Sequence, residues 1–273
     1  MVWAWPWTLE RASPFLSAPP SSGRMELFGV SHIAMLVLVL ILCVSAVWGA
    51  RRFRDTALEK RATRAVGWVL LALSLFWTGR GLLPAHWDIA QSLPLHLSDV
   101  LQIVTALALI ARPGWAIAIV YYWALTLNLQ SLLTPDLSYT TQPVVEFTMY
   151  WTLHIVVFLA PVVFTFGLGY RLTWTGYVVV LAVTVAWAGV AGLVNSVTGA
   201  NYGYLGHPPA GGSLLDLLGP WPIYILWEGV VVATGWALMT WPWTRLNRQR
   251  VTAGGAPENN STLRRRPSVL RAP

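Results

Sequence analysis

The chain has 273 residues, 56% hydrophobic and 11% charged, with 17 Trp, one Cys and a net charge of +7. A soluble domain carries about 25% charged residues, so this composition excludes an ordinary soluble fold and points to a chain whose solvent is largely lipid. The lone Cys43 excludes an intrachain disulfide and a Cys-rich metal site, and the confinement of basic residues to short connecting segments and the tail argues against nucleic acid as a partner.

Residues 1–24 are rich in Trp, Pro and Ser and lack the basic and apolar regions of a signal peptide. They are expected to be a disordered leader, or an over-called start ahead of Met25. Apolar blocks of spanning length follow, at about 20 residues for a bilayer core of about 30 Å. They run from Val30 to Ala50, Ala65 to Leu83, Leu93 to Arg112, Gly114 to Leu133, Val144 to Tyr170, Trp174 to Val197 and Trp221 to Trp241. None alternates in the manner of a membrane β-barrel strand. The predicted fold is an all-α, polytopic bundle of about seven transmembrane helices over 25–243, followed by a disordered basic tail over 244–273.

Orientation follows from Lys and Arg. With seven spans, fifteen of the eighteen fall on one side: Arg51, Arg52, Arg54, Lys60, Arg61, Arg64, Arg112, Arg171 and seven in the tail. Only Arg11, Arg24 and Arg80 lie elsewhere. The N-terminus is therefore expected outside and the C-terminus in the cytoplasm, in the cell membrane. An even number of spans would set the basic tail opposite the basic first loop.

Polar residues inside lipid are costly, so their placement is informative. On this topology Arg80, His96, Ser98, Asp99, Asn128, Gln130, Glu146, His154, Asn195 and Glu228 gather in the outer half of their spans, as do all five histidines. Singly, each has a bland reading: Asn128, Gln130 and Asn195 as interhelical hydrogen-bond glue, and Arg80 as a cation snorkelling to the outer headgroups, against which stands an ion pair with Asp99, Glu146 or Glu228. Together they predict a polar cavity open to the outer face. His96 and Asp99 share a helix face, as do Ser98 and Gln102. Glu146, Tyr150 and His154 form one stripe at four-residue steps. The segment Asn201–Glu228, rich in Gly, Pro and aromatics, is long enough to act as a lid and equally suits an interfacial anchor belt.

Three stretches carry a resemblance: LPLHLSD ending at Asp99, PVVEFTMYWTLH ending at His154, and NYGYL…SLLDLLGPWPIYIL from Asn201 to Leu226. Over roughly Met25–Trp243 the chain resembles the YwaF-like bacterial integral membrane family, which is similar to the eukaryotic transmembrane-protein-164 group, associated with acyl transfer between phospholipids. That resemblance implies a catalytic pair of Cys and His on different helices. His154 matches the His, and Ser98 takes the nucleophile position, with Ser in place of Cys.

The leading expectation is an intramembrane phospholipid acyltransferase or acyl hydrolase. Ser98 is the nucleophile, His154 or His96 the base, and Asp99 the partner of His96. Arg80, Glu146, Asn201, Tyr202 and Glu228 are candidate substrate-binding residues, with Arg80 and Asn201 available to a phosphate or an oxyanion. The partner is membrane lipid, no cofactor is expected, and the oligomeric state is left open. The alternatives are a proton-coupled transporter or small-ligand receptor, and a His-bound metal or haem site.

Overall fold

The computed structural model describes residues 23–90, 92–139, 142–208 and 214–254. The expected disordered leader up to residue 22 and the expected disordered tail from residue 255 lie outside the described residues. Eight α-helices follow in chain order: α1 (Val30–Arg52), α2 (Ala57–Gly81), α3 (Leu97–Ala111), α4 (Gly114–Leu125), α5 (Leu127–Leu133), α6 (Pro143–Val162, continued by a wider turn over Val163–Gly167), α7 (Trp174–Thr198) and α8 (Ile223–Gly254). No named strand occurs among the described residues. With α4 and α5 taken as one broken span, six segments are long and apolar enough to cross a membrane, and α3 is a seventh, shorter apolar helix. The chain is a multi-pass membrane helix bundle.

Most boundaries fall where hydropathy puts them. One difference is α2, which begins eight residues earlier than the apolar block. Thr56 caps it by accepting from the Glu59 N–H at 3.2 Å. Lys60, Arg61 and Arg64 therefore sit on a helix, one that continues past its apolar part. At the other end of the chain, α8 runs on to Gly254, into the expected tail.

The centre of the bundle is α4. Every residue from Ala116 to Ala124 is buried, as befits a helix that is apolar all round. Within its span 61% of positions are buried, against 6% for α1, which turns most of its surface to lipid. The aromatic donors around α4 find partners by one repeated device. Thr184 and Thr240 donate to their own i−4 carbonyls at 2.7 and 2.6 Å. Their remaining lone pairs then accept from Trp123 Nε1 at 2.9 Å and Tyr122 Oη at 2.7 Å. Thr126 donates to the Tyr122 carbonyl and accepts from Trp236 Nε1 at 3.1 Å. Tyr121 accepts from Trp243 Nε1 at 2.9 Å. These bonds tie α7 and α8 to α4.

Thr126 is also where the fourth span breaks, at φ −120° and ψ −71°. The break separates α5 from α4 and re-aims it toward α6.

The two ends of the bundle differ. At the basic end, Arg112 is an αL cap on α3 and pairs with the buried Glu59, while also donating to Thr63 at 2.6 Å. Arg51 Nε donates to the Phe166 carbonyl at 2.7 Å. The opposite end carries the histidines and, among the described residues, the connections 82–90, 92–96, 134–139 and 199–208.

Close packing of α2 on α3 depends on Gly67, where an added Cβ would lie 2.8 Å from Ile110 Cγ1 and 3.0 Å from the Ala106 carbonyl oxygen. Gly67→Ala is expected to lower the thermal midpoint in detergent, at a cost of about 1–3 kcal/mol. Gly189→Ala, which meets nothing within 4 Å, is expected to leave that midpoint in place.

Candidate functional site

The helix α3 is short. Its 15 residues span about 22 Å at 1.5 Å per residue, less than a bilayer core of about 30 Å. Its C-terminal end is anchored at the basic end by Arg112, so its N-terminal end starts below the opposite rim. Ser98 lies thirteen residues before Ala111, and His154 thirteen before Gly167, the last residue of the turn that extends α6. Both are thus about 20 Å from the basic ends of their helices, and α3 packs against α6. The sequence places Ser98 near the rim and His154 near the middle. Counted from those ends, Ser98 and His154 stand equally far along two helices that pack together. No hydrogen bond joins Ser98 to His154 among the described residues.

His154 is buried and its ring is fixed. Nδ1 lies 2.7 Å from the Tyr150 carbonyl oxygen. Because a carbonyl only accepts, Nδ1 carries the proton and Nε2 keeps its lone pair. The ring stacks on Tyr150 at 4.2 Å, whose hydroxyl donates to the Ser131 carbonyl at 2.8 Å. Asn128 on α5 donates to the His154 carbonyl at 3.1 Å. Nε2 has no hydrogen-bond partner among the described residues.

His32 makes the contrast. Its Nδ1 accepts from the Phe28 N–H at 2.9 Å and its Nε2 donates to the Leu132 carbonyl at 2.9 Å. Both nitrogens are committed, and the residue clamps α1 to α5.

His96 is the N-cap residue of α3. Its ring lies 4.8 Å from that of Tyr202, and its buried Nε2 meets no acceptor or donor among the described residues. Asp99, half-buried in the first turn, suits the positive end of the helix dipole, and its N–H donates to the His96 carbonyl at 3.0 Å.

The expected substrate-binding residues divide by what they touch. Tyr202 is buried. Its hydroxyl donates to the Ile89 carbonyl and accepts from the Leu93 N–H at 3.2 Å, which ties its loop to the approach to α3. Burial pushes its phenol up, and the nearby Asp88 and Asp99 carboxylates add to this. Asn195 brackets the same residue, accepting from its N–H at 2.8 Å and donating to its carbonyl at 2.9 Å. Asn201 staples its own loop, accepting from Gly206 N at 2.8 Å and donating to the His207 carbonyl at 2.8 Å. Glu146 is buried near the start of α6 and accepts from the Gln142 N–H at 3.4 Å. Glu228 is half-buried on α8.

Arg80 does not form the expected pair. The ion pairs among the described residues are Arg24–Asp136, Arg54–Asp55 and Arg112–Glu59. The Arg80 guanidinium instead lies 5.3 Å over the Trp77 ring, one turn back on α2. From the last turn it reaches the rim, where a cation on an aromatic face needs no buried acid.

The sequence reading missed a second polar chain at this end. Arg24 pairs with Asp136 at 3.7 Å, and Asp136 accepts from the Tyr204 hydroxyl at 3.1 Å. Burial, then the Asp136 charge, holds the Tyr204 phenol well above its usual range, so it remains a neutral donor. Segment 23–25 pairs with 137–139 through Met25 N to Leu137 O at 3.0 Å and Tyr139 N to Gly23 O at 2.7 Å. Tyr224 on α8 donates to the Tyr204 carbonyl. The loops thus close over this end of the bundle. Two grooves, of about 300 and 320 Å³, lie away from it at the basic end.

No three His, Cys, Asp or Glu converge into a metal-binding group among the described residues, so a metal reading finds no such ligand set there.

A family model described as the TMEM164 family matches residues 27–240. No curated protein and no solved structure matches the chain significantly. The chain belongs to the TMEM164 family, in keeping with the transmembrane-protein-164 part of the resemblance.

Asn201→Ala is expected to raise amide exchange at Gly206 and His207 while protection in α4 stays unchanged, as measured by hydrogen–deuterium exchange mass spectrometry.

Proposed function

We propose, with membership of this family as the premise, that the protein is a phospholipid acyltransferase or acyl hydrolase of the cell membrane. One observation carries the reading: His154 is buried on α6 with Nδ1–H held by the Tyr150 carbonyl and its Nε2 lone pair uncommitted. That is the tautomer a general base requires. Ser98, equally far from the basic end on the adjacent α3, is the nucleophile. Kinship with YwaF-like bacterial proteins rests on the three motifs quoted above.

In the reaction, Ser98 Oγ attacks the acyl carbonyl carbon as His154 Nε2 takes the hydroxyl proton. The ester C–O bond to glycerol breaks, and the imidazolium returns the proton to the departing alkoxide. A lysophospholipid hydroxyl or water then attacks the acyl-serine, His154 takes the new proton and passes it to the departing Ser98 oxygen, and the new ester or the free acid leaves. The lone pair needs the neutral ring.

A second reading, proton-coupled transport, is favoured by Glu228, an acid within a span that is in no ion pair among the described residues. Flux that follows pH and is lost in Glu228→Gln, without lipid turnover, would select it.

The decisive assay uses proteoliposomes carrying a phospholipid with an isotope-labelled acyl chain and a lysophospholipid acceptor, read by mass spectrometry. Ser98→Ala and His154→Ala are each expected to lower turnover by about a hundredfold or more. In a Cys43→Ala background, Ser98→Cys is expected to keep turnover and to become sensitive to a thiol-alkylating reagent. Full turnover by both alanine variants would overturn the assignment.

A further inference from the structure

At the basic end, α4 and α7 begin side by side. They meet where Gly176 lies against Ala118, with an added Cβ at 3.4 Å from that of Ala118. Above this crossing is a groove of about 320 Å³ lined by Gly114, Trp115, Ala118, Arg171, Thr173 and Thr175, among others. Three features of the groove are independent of the histidine end.

The first is a cation without an acceptor. Arg171 lines the groove, and its Nη1 is buried with no hydrogen-bond partner among the described residues. An arginine always carries its charge, and a buried guanidinium N–H left unpaired is costly. Arg112, also at this end, shows the alternative, being paired to Glu59.

The second is a shortage of acceptors for backbone donors. Pro113 precedes α4 and supplies no side-chain cap, so the N–H groups of its first turn are without one. Thr173 caps only Gly176, at 3.1 Å, at the start of α7. The third is position: Trp115 and Trp174 are exposed here, on a membrane protein, at the depth where Trp meets headgroups.

We propose that this groove binds the phosphate headgroup of an anionic phospholipid from the leaflet at the basic end. Arg171 supplies the charge, and the uncapped turn of α4 supplies backbone donors. The exposed Trp115 and Val179 border the acyl chains. The groove is a binding site only, at the opposite end from Ser98 and His154, and it stands or falls apart from the acyl-transfer reading.

The test is native mass spectrometry of the detergent-solubilised full chain titrated with phosphatidylglycerol, with phosphatidylcholine and inorganic phosphate as competitors. Arg171→Gln is expected to weaken phosphatidylglycerol retention about tenfold, the loss of one charge-assisted hydrogen-bonding group. Thr175→Trp, which fills the groove and keeps the charge, is expected to do the same. Arg61→Gln, an exposed charge at this end outside the groove, is expected to retain lipid like the parent chain. Each variant is first shown to keep the parent's elution volume and melting midpoint, and Arg171→Met replaces Arg171→Gln if that variant fails this check. Equal loss in Arg61→Gln would overturn the site in favour of general charge attraction. Unchanged retention in Thr175→Trp together with the Arg171 variant would overturn it outright. Displacement by inorganic phosphate alone at equal concentration would reassign it to a small anion, and displacement by phosphatidylcholine would remove the charge preference.

Discussion

Lipid offers no hydrogen bonds, so every polar group carried into the bundle needs a partner within it. The threonine oxygens around α4 meet that demand. Each spends its proton on its own helix, at Val180, Trp236 or Tyr122, and leaves its lone pairs for an indole or phenol across the interface. The helix can then be apolar on all sides and still hold α7 and α8 at fixed places. Dispersion packing alone would hold them with less orientation, because lipid tails compete for apolar contact as well as another helix does.

Irregular backbone at membrane depth is tolerated where protein encloses it, and the histidine end is built on that allowance. There α3 stops short, the fourth span breaks at Thr126, and α6 starts at Pro143 after a turn. The break sends Asn128 to the carbonyl of His154. The same end is closed by loops whose hydrogen bonds run through Tyr202, Asn195, Asn201 and Tyr204. Rigid attachment at one end of the bundle leaves the other free to depart from regular helix.

Hydropathy made the spans legible, and the distribution of basic residues made the two ends legible. The early start of α2 escaped because Thr56, Glu59 and the basic residues after it look like loop to a measure that counts only apolar content. The break at Thr126 escaped because no Gly or Pro marks it. At the break Thr126 donates to the Tyr122 carbonyl and accepts from Trp236 Nε1. Among the site residues, the stripe Glu146–Tyr150–His154 was visible from its spacing, and the structure adds which ring nitrogen bears the proton. Asp136 and Tyr204 were overlooked because each sits in a segment that reads as a turn, and their pairing spans 68 positions. The place of Arg80 over Trp77 was open to the sequence as an i, i+3 pair on one helix, and the search for an acidic partner passed over it.

The brevity of α3 has a consequence for the interior of the bundle. Its neighbours α2, at 25 residues, and α6, at 20 before its wider turn, cross a full hydrocarbon layer, whereas α3 covers about three-quarters of one. Since most of α3 is covered by the helices around it, the missing turns are taken from the interior and not from the lipid-facing belt. The segment leading into α3 supplies backbone there instead, with the Leu93 N–H donating to Tyr202 and the Leu95 carbonyl accepting from Trp187. An interior of that kind holds irregular backbone at a depth where a lipid-facing helix could not.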